Sequence, residues 1–237
     1  MSASNLFSRG LPQSRVRAGG ALALAAALAC PGLAAAQSAG SWLVRGGVST
    51  IQPQVTSGDL TAPSTPRSQA DIKPDTQPTA GITYMLSDHW ALDLPLSAGF
   101  KLDVVGAGAL AGAGRLAEVK AMPASLMLQW RFGAADAALR PYLGLGPTYA
   151  RFYGSRSTAA LTAITGGTPA RPTTFELEST WTASVQAGAV WRFASRWQLD
   201  ASVWHTPLKT EGRLSTGQTL SLKVDPLSAS LGVAYRF

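Results

Sequence analysis

The sequence predicts an all-β fold: an eight-stranded antiparallel transmembrane β-barrel with short turns at one end and long loops at the other. Three observations carry this. Apolar and polar residues alternate with period two in eight separate segments. The connections between those segments are alternately short and long. After the first 36 residues no run of 18 apolar residues remains, so a membrane-resident mature chain must cross with strands in a closed barrel.

Residues 1–36 are read as a cleaved signal peptide and 37–237 as the barrel. Arg9, Arg15 and Arg17 precede an Ala/Leu run from Ala18 to Ala29, Pro31 breaks it, and Ala34-Ala35-Ala36 supplies an A-x-A end before Gln37. A basic start, a short apolar centre and a small-residue end are the parts of a secretory signal. Leu28-Ala29-Cys30 also resembles a lipoprotein box, but its Leu stands one place too close to the cysteine. Cutting after Ala36 removes the chain's one cysteine, and thiol chemistry with it.

The last strand is the most regular. Leu227, Ala229, Leu231, Val233, Tyr235 and Phe237 alternate with Ser228, Ser230, Gly232, Ala234 and Arg236. It ends on an aromatic with another two residues before it, so Tyr235 and Phe237 are the expected signal for the barrel-assembly machinery. Trp42 to Ser49, Trp90 to Ser97, Ser125 to Phe132, Ser184 to Phe193 and Trp197 to Trp204 alternate the same way. Thr79 to Leu86 and Arg140 to Phe152 are strands of weaker contrast.

Residues 87–89, 133–139 and 194–196 are short turns, expected to face the periplasm. The stretches 55–78, 101–117, 154–178 and 206–222 are expected extracellular loops, rich in Pro, Gly, Ser and Thr. Aromatics gather beside the short turns (Trp90, Trp130, Phe132, Trp191, Phe193, Trp197, Phe237), as an interfacial girdle requires. A secreted β-sandwich also alternates, but its polar face would carry Lys and Glu freely. Here that face is mostly Ser, Gly, Gln and Ala, as a narrow lumen demands.

Discounting the leader's three arginines leaves 17 basic against 13 acidic residues, a net of +4. No block of five basic residues occurs, which argues against nucleic acid as a partner. The expected partners are outer-membrane lipids and lipopolysaccharide, the assembly machinery and small hydrophobic ligands, with no cofactor.

Several stretches are similar to the OmpW family of small outer-membrane barrels. They are Trp42-Leu43-Val44-Arg45-Gly46-Gly47, the run from Gly81 to Leu92, Pro95-Leu96, Phe100-Lys101, the run from Arg140 to Gly146, Asp225-Pro226, and the run from Gly232 to Phe237. The resemblance departs at Leu102-Asp103, where the family usually has a His; at Met122-Pro123, usually Pro-Pro; and at Thr148-Tyr149, usually Asn-Tyr. It implies an eight-stranded Gram-negative outer-membrane barrel with a narrow, largely apolar channel open to the outside. That channel is expected to admit small hydrophobic compounds and release them sideways into the membrane. Some relatives serve as bacteriocin or phage receptors, so a surface receptor without transport is the alternative.

Eight strands enclose an interior just wide enough for side chains. Arg45, Asp93, Arg131, Arg192, Asp200 and Arg236 are the inward charges. At least two of the four arginines are expected near Asp93 or Asp200, because an unpaired charge away from water is costly. Leu43, Met127 and Trp204 are apolar residues on the inward face and candidates for lining a passage near the outer end. A lipid A-modifying enzyme would need a His beside a Ser or a carboxylate. His89 sits in a short turn, and His205 has Ser202 three residues before it, without the close His/Ser spacing of a deacylase. Asp71 and Asp75 read as solvated loop carboxylates, and no metal-ligand spacing occurs.

Overall fold

A computed structural model describes residues 37–237; the expected signal peptide lies outside the described residues. The strands are β1 (Trp42–Gln52), β2 (Val55–Ser57), β3 (Ser68–Ile72), β4 (Asp75–Met85), β5 (Trp90–Ser97), β6 (Phe100–Gly108), β7 (Arg115–Ser125) and β8 (Met127–Arg131). They continue with β9 (Leu139–Ser157), a one-turn helix α1 (Ala159–Ile164), β10 (Phe175–Leu177), β11 (Thr180–Arg192), β12 (Trp197–His205), β13 (Leu208–Leu214), β14 (Thr219–Val224) and β15 (Leu227–Arg236).

Eight of these close a barrel in the order β1-β4-β5-β8-β9-β11-β12-β15, every neighbour antiparallel. The seam is β1 against β15, from Leu43↔Arg236 to Gln52↔Leu227. Closure pairs every strand of the ring with two neighbours, the arrangement by which strands can cross a bilayer. Outward positions expose Val44, Ile82, Leu94, Leu128, Leu143, Val185, Val203 and Leu231, whereas inward ones bury Gln129, Gln186, Gln198 and Ser202. This is the alternation read from the sequence. At the inner end the girdle is a series of ring contacts: Trp42–Tyr84 at 4.6 Å, Trp90–Trp130 at 4.8 Å and Trp197–Tyr235 at 4.9 Å. Tyr149 and Trp181, 5.0 Å apart, mark the outer interface.

The four long connections are not irregular loops. Their strands extend the wall and fold over it as a cap. β7, β6 and β3 continue the barrel sheet outward, while β10, β13, β14 and β2 form a second sheet. Phe100, Leu102, Val104, Leu116, Val119, Leu161, Phe175, Leu177, Leu208, Leu220, Leu222 and Val224 pack together in one buried cluster. These strands are short, several of them only three to seven residues, so their period-two pattern has too few repeats to stand out within Gly- and Pro-rich connections. The strand expected over 125–132 is also broken: β7 and β8 are separate pieces, and Leu126, between them, donates its N–H to the Pro147 carbonyl.

Candidate functional site

The lumen has two storeys: a polar floor in the inner half and an apolar cavity above it.

The floor is organised around Arg45, which β1 points across the lumen. Its guanidinium lies 3.3 Å from Asp93 on β5 and 3.2 Å from Asp200 on β12. Thr83 donates to the other oxygen of Asp93 at 2.6 Å, and the Tyr142 hydroxyl donates to Asp200 at 3.0 Å. Space for these long groups comes from small neighbours. A Cβ on Gly81 would stand 2.8 Å from the Arg45 guanidinium, and one on Gly188 would stand 2.6 Å from the Tyr142 ring. The network continues inward. Gln186 donates to the Tyr142 hydroxyl, Gln129 donates to Gln186, and Arg131 donates to Gln129 and to Gln37. Gln37 donates to Gln198 and accepts from Arg140. Arg131, Arg140, Gln129 and Gln198 are essentially inaccessible. Buried polar groups are tolerable only when they partner one another in this way.

Two of the four arginines are near the acids, as expected: Arg45 forms ion pairs with both, and Arg131 is close enough to feel the charge of Asp200 and Asp93 without pairing directly with either. Arg131 is held by glutamines and lies 5.5 Å from the Tyr142 ring centre. Arg192 and Arg236 do not line a path. Arg192 donates to the Asp136 carbonyl, Arg236 to Ser195 at 2.9 Å, and Arg140 to Asp88. Each of these three ties down one of the inner turns, whose carbonyls lack strand partners. Sequence reasoning missed Arg140, Tyr142 and Gln37. The inward parity of β9 would have found the first two, but its contrast was weak; nothing in the sequence placed Gln37 in the lumen.

The three apolar candidates separate. Trp204 lines the upper cavity, with its indole donating to Ser202 at 3.0 Å. Leu43 instead packs on Met85 and Ala91 near the inner turns, one residue into β1. Met127 is opposite Asp93 at floor level. Neither belongs to the outer half, because parity sets the face of a strand and says nothing of height.

Above the floor the lumen widens into an apolar cavity that is open to solvent. Arg45 is at its base; Trp204, Phe100, Leu102, Phe152, Leu177 and Leu208 form its wall. Hydroxyls near its base satisfy each other in a row: Ser125–Thr148 at 2.7 Å, Thr148–Ser184 at 2.6 Å and Ser184–Thr206 at 2.8 Å. They therefore present little free polarity.

The wall is incomplete on one side. Pairing of β5 with β8 stops at Asp93↔Met127, and β6 meets β7 only from Phe100↔Ala121 upward. Between these levels Leu94–Ser97 and Met122–Leu126 face each other without a ladder. Pro95 and Pro123, which have no N–H to give, are in the two edges. Leu96 points to the lipid side and is 45% exposed, yet it also lines the cavity. Leu96 thus belongs both to the lipid-facing surface and to the cavity lining at this gap in the ladder.

His89 is a structural turn residue: its Nδ1 is 2.9 Å from the Arg131 carbonyl and its ring stacks on Trp130. His205 and Ser202 are on opposite faces of β12 and do not meet. Among the described residues no cluster of His, Cys, Asp and Glu could hold a metal.

A closed eight-stranded barrel with a lipid-facing apolar band, aromatic interfaces and a polar-floored lumen defines a small outer-membrane β-barrel protein. The chain belongs to the OmpW family, whose sequence profile matches residues 38–237. It is therefore a protein of the Gram-negative outer membrane. It is 29% identical to outer membrane protein W of Salmonella typhi, over 91% of this chain and 97% of that one. It is 26% identical to outer membrane protein AlkL of Ectopseudomonas oleovorans, over 87% and 86% of the two chains. Among solved structures, OprG of Pseudomonas aeruginosa superposes with a TM-score of 0.76 at 26% identity, covering 86% of this chain and 99% of that one.

Proposed function

We propose that the barrel is a conduit for small hydrophobic molecules, taking them in from the outside and releasing them sideways into the membrane between β5 and β7. The observation that carries this is an apolar cavity joined to a ladder-free stretch of wall, at Leu94–Ser97 and Met122–Leu126. The floor supports the same reading. A solute passing to the inner end would have to break a buried network from Arg45 to Arg140, whereas the lateral route passes between edges made mostly of Leu94, Pro95, Leu96, Met122, Pro123 and Leu126. Favourable burial drives entry, and transfer from the cavity to lipid exchanges one apolar environment for another.

The test is uptake of naphthalene or a short alkane by cells with an intact outer membrane. Uptake falls when the gene is deleted and returns with the wild-type gene. It does not return with Trp204→Asp, provided that this variant still migrates as a folded barrel. Uptake unchanged by deletion, across several compounds, refutes the conduit and makes the folded cap the candidate for a surface receptor.

A further inference from the structure

Outside the lumen, charge is segregated by height on the outward face of the β6-β7-β9 wall. The row nearest the membrane is basic. Lys101 and Lys120 are directly opposite each other, and Lys120 is in turn opposite Tyr153. Arg151, opposite Met122, is two residues above Tyr149 on β9, and its guanidinium lies 5.6 Å from the Tyr153 ring centre. Along β9, Arg151 stands two residues (about 6.8 Å) beyond Tyr149 and the Lys101–Lys120 pair, level with Tyr153, four residues (about 13.6 Å) beyond it, so the cluster lies on the outer side of the aromatic interface marked by Tyr149 and Trp181.

One row higher the charges cancel: Arg115 is 3.2 Å from Asp103 and 3.7 Å from Glu118, and Arg156 is opposite Glu118. Among the described residues no ion pair involves Lys101, Lys120 or Arg151. The carboxylate that approaches from β4, Asp75, accepts instead from the Lys101 backbone N–H and from the Gln77 side chain. Like charges directly opposite on neighbouring strands repel. Keeping two lysines and an arginine together, with ion-pair partners only a row away, suits an anion supplied from outside.

The row also overhangs the lateral opening. The Tyr153 hydroxyl reaches the bend at Gly99, where φ is +90° and an added Cβ would lie 2.6 Å from it. That bend is the upper corner of the gap. The Lys120 stem runs past Gly154, with its Cδ within 3.6 Å of where a Cβ would stand.

We propose that Lys101, Lys120 and Arg151 hold the phosphates of the phosphorylated glycolipid of the outer leaflet, which seats its acyl chains beside the lateral opening. The level of the row is the level of that lipid's headgroup, and its charge is the complement. Any bearing of those acyl chains on lateral release rests on the conduit reading; the binding itself does not.

The experiment uses the purified, folded barrel and native mass spectrometry with three probes: lipid A carrying both phosphates, dephosphorylated lipid A, and phosphatidylglycerol. The variants are Lys101→Gln/Lys120→Gln/Arg151→Gln, the single Lys120→Gln in case the triple variant folds poorly, and Arg115→Gln in the paired row as control. Phosphorylated lipid A binds the wild type and the control, and binds the triple variant about a hundredfold more weakly, each cation contributing roughly a factor of five. Equal binding to the folded triple variant overturns the proposal; if that variant fails to fold, an unchanged affinity in Lys120→Gln does so. Equal binding of dephosphorylated lipid A, or of phosphatidylglycerol, also overturns it. Lipid binding that persists in a protein without uptake removes the conduit alone, and uptake without lipid binding removes this proposal alone.

Discussion

Arg45 is the position whose loss should be felt most, because it forms direct ion pairs with two buried carboxylates. Arg45→Met keeps length and apolar contact but removes the charge, leaving Asp93 and Asp200 facing one another with side chains 0% and 4% exposed. Removing one partner of a buried ion pair typically costs about 3–5 kcal/mol, and here one substitution removes the ion-pair partner of two acids, which keep only the hydroxyls of Thr83 and Tyr142 as direct partners. That corresponds to a folding constant lowered by about 150- to 5000-fold. Neutralising all three groups should recover much of the loss. In Arg45→Met/Asp93→Asn/Asp200→Asn, Thr83 and Tyr142 still have side-chain oxygens to donate to. The assay is reversible urea unfolding from lipid vesicles, followed by tryptophan fluorescence, which the chain's 7 tryptophans make sensitive. A single variant within 1 kcal/mol of wild type, or a triple variant no more stable than the single one, refutes the assigned role of the floor.

Two further outcomes follow from packing and from the chain's end. Gly188→Val forces a side chain against the Tyr142 ring and should cost about 1–3 kcal/mol, with Tyr142 lifted from Asp200; the same urea titration reads the cost. Phe237→Ala should leave the purified barrel able to fold but reduce the heat-shiftable fraction in cells, since the Tyr235–Phe237 pair, with rings 4.9 Å apart, is the proposed assembly signal.

The eight spans were legible because a bilayer imposes one rule on every strand: apolar outward, polar inward. Trp90, Trp130, Trp191 and Trp197 were readable as a girdle for the same reason. What parity could not give was height. Leu43 and Trp204 read alike on their inward faces, yet one packs under the floor and the other lines the cavity, since height depends on strand stagger around the closed ring. The opening was hidden too. Pro95 and Pro123 lie 28 residues apart, and only the pairing of β5 with β8 and of β6 with β7 shows that they border the same gap. The cap escaped because its strands bury their apolar faces against one another, not against lipid, and so follow no fixed length.

The lateral opening is the centre of this account, and closing it is the most direct test. Cysteines at Leu96 and Met122, one on each edge, can be joined by a cleavable bifunctional maleimide in a barrel whose floor and cap are untouched. Cells carrying the joined protein should lose uptake of a small apolar compound and regain it once the linker is cut. Uptake that continues undiminished with the edges joined would contradict lateral release and send the solute by another route.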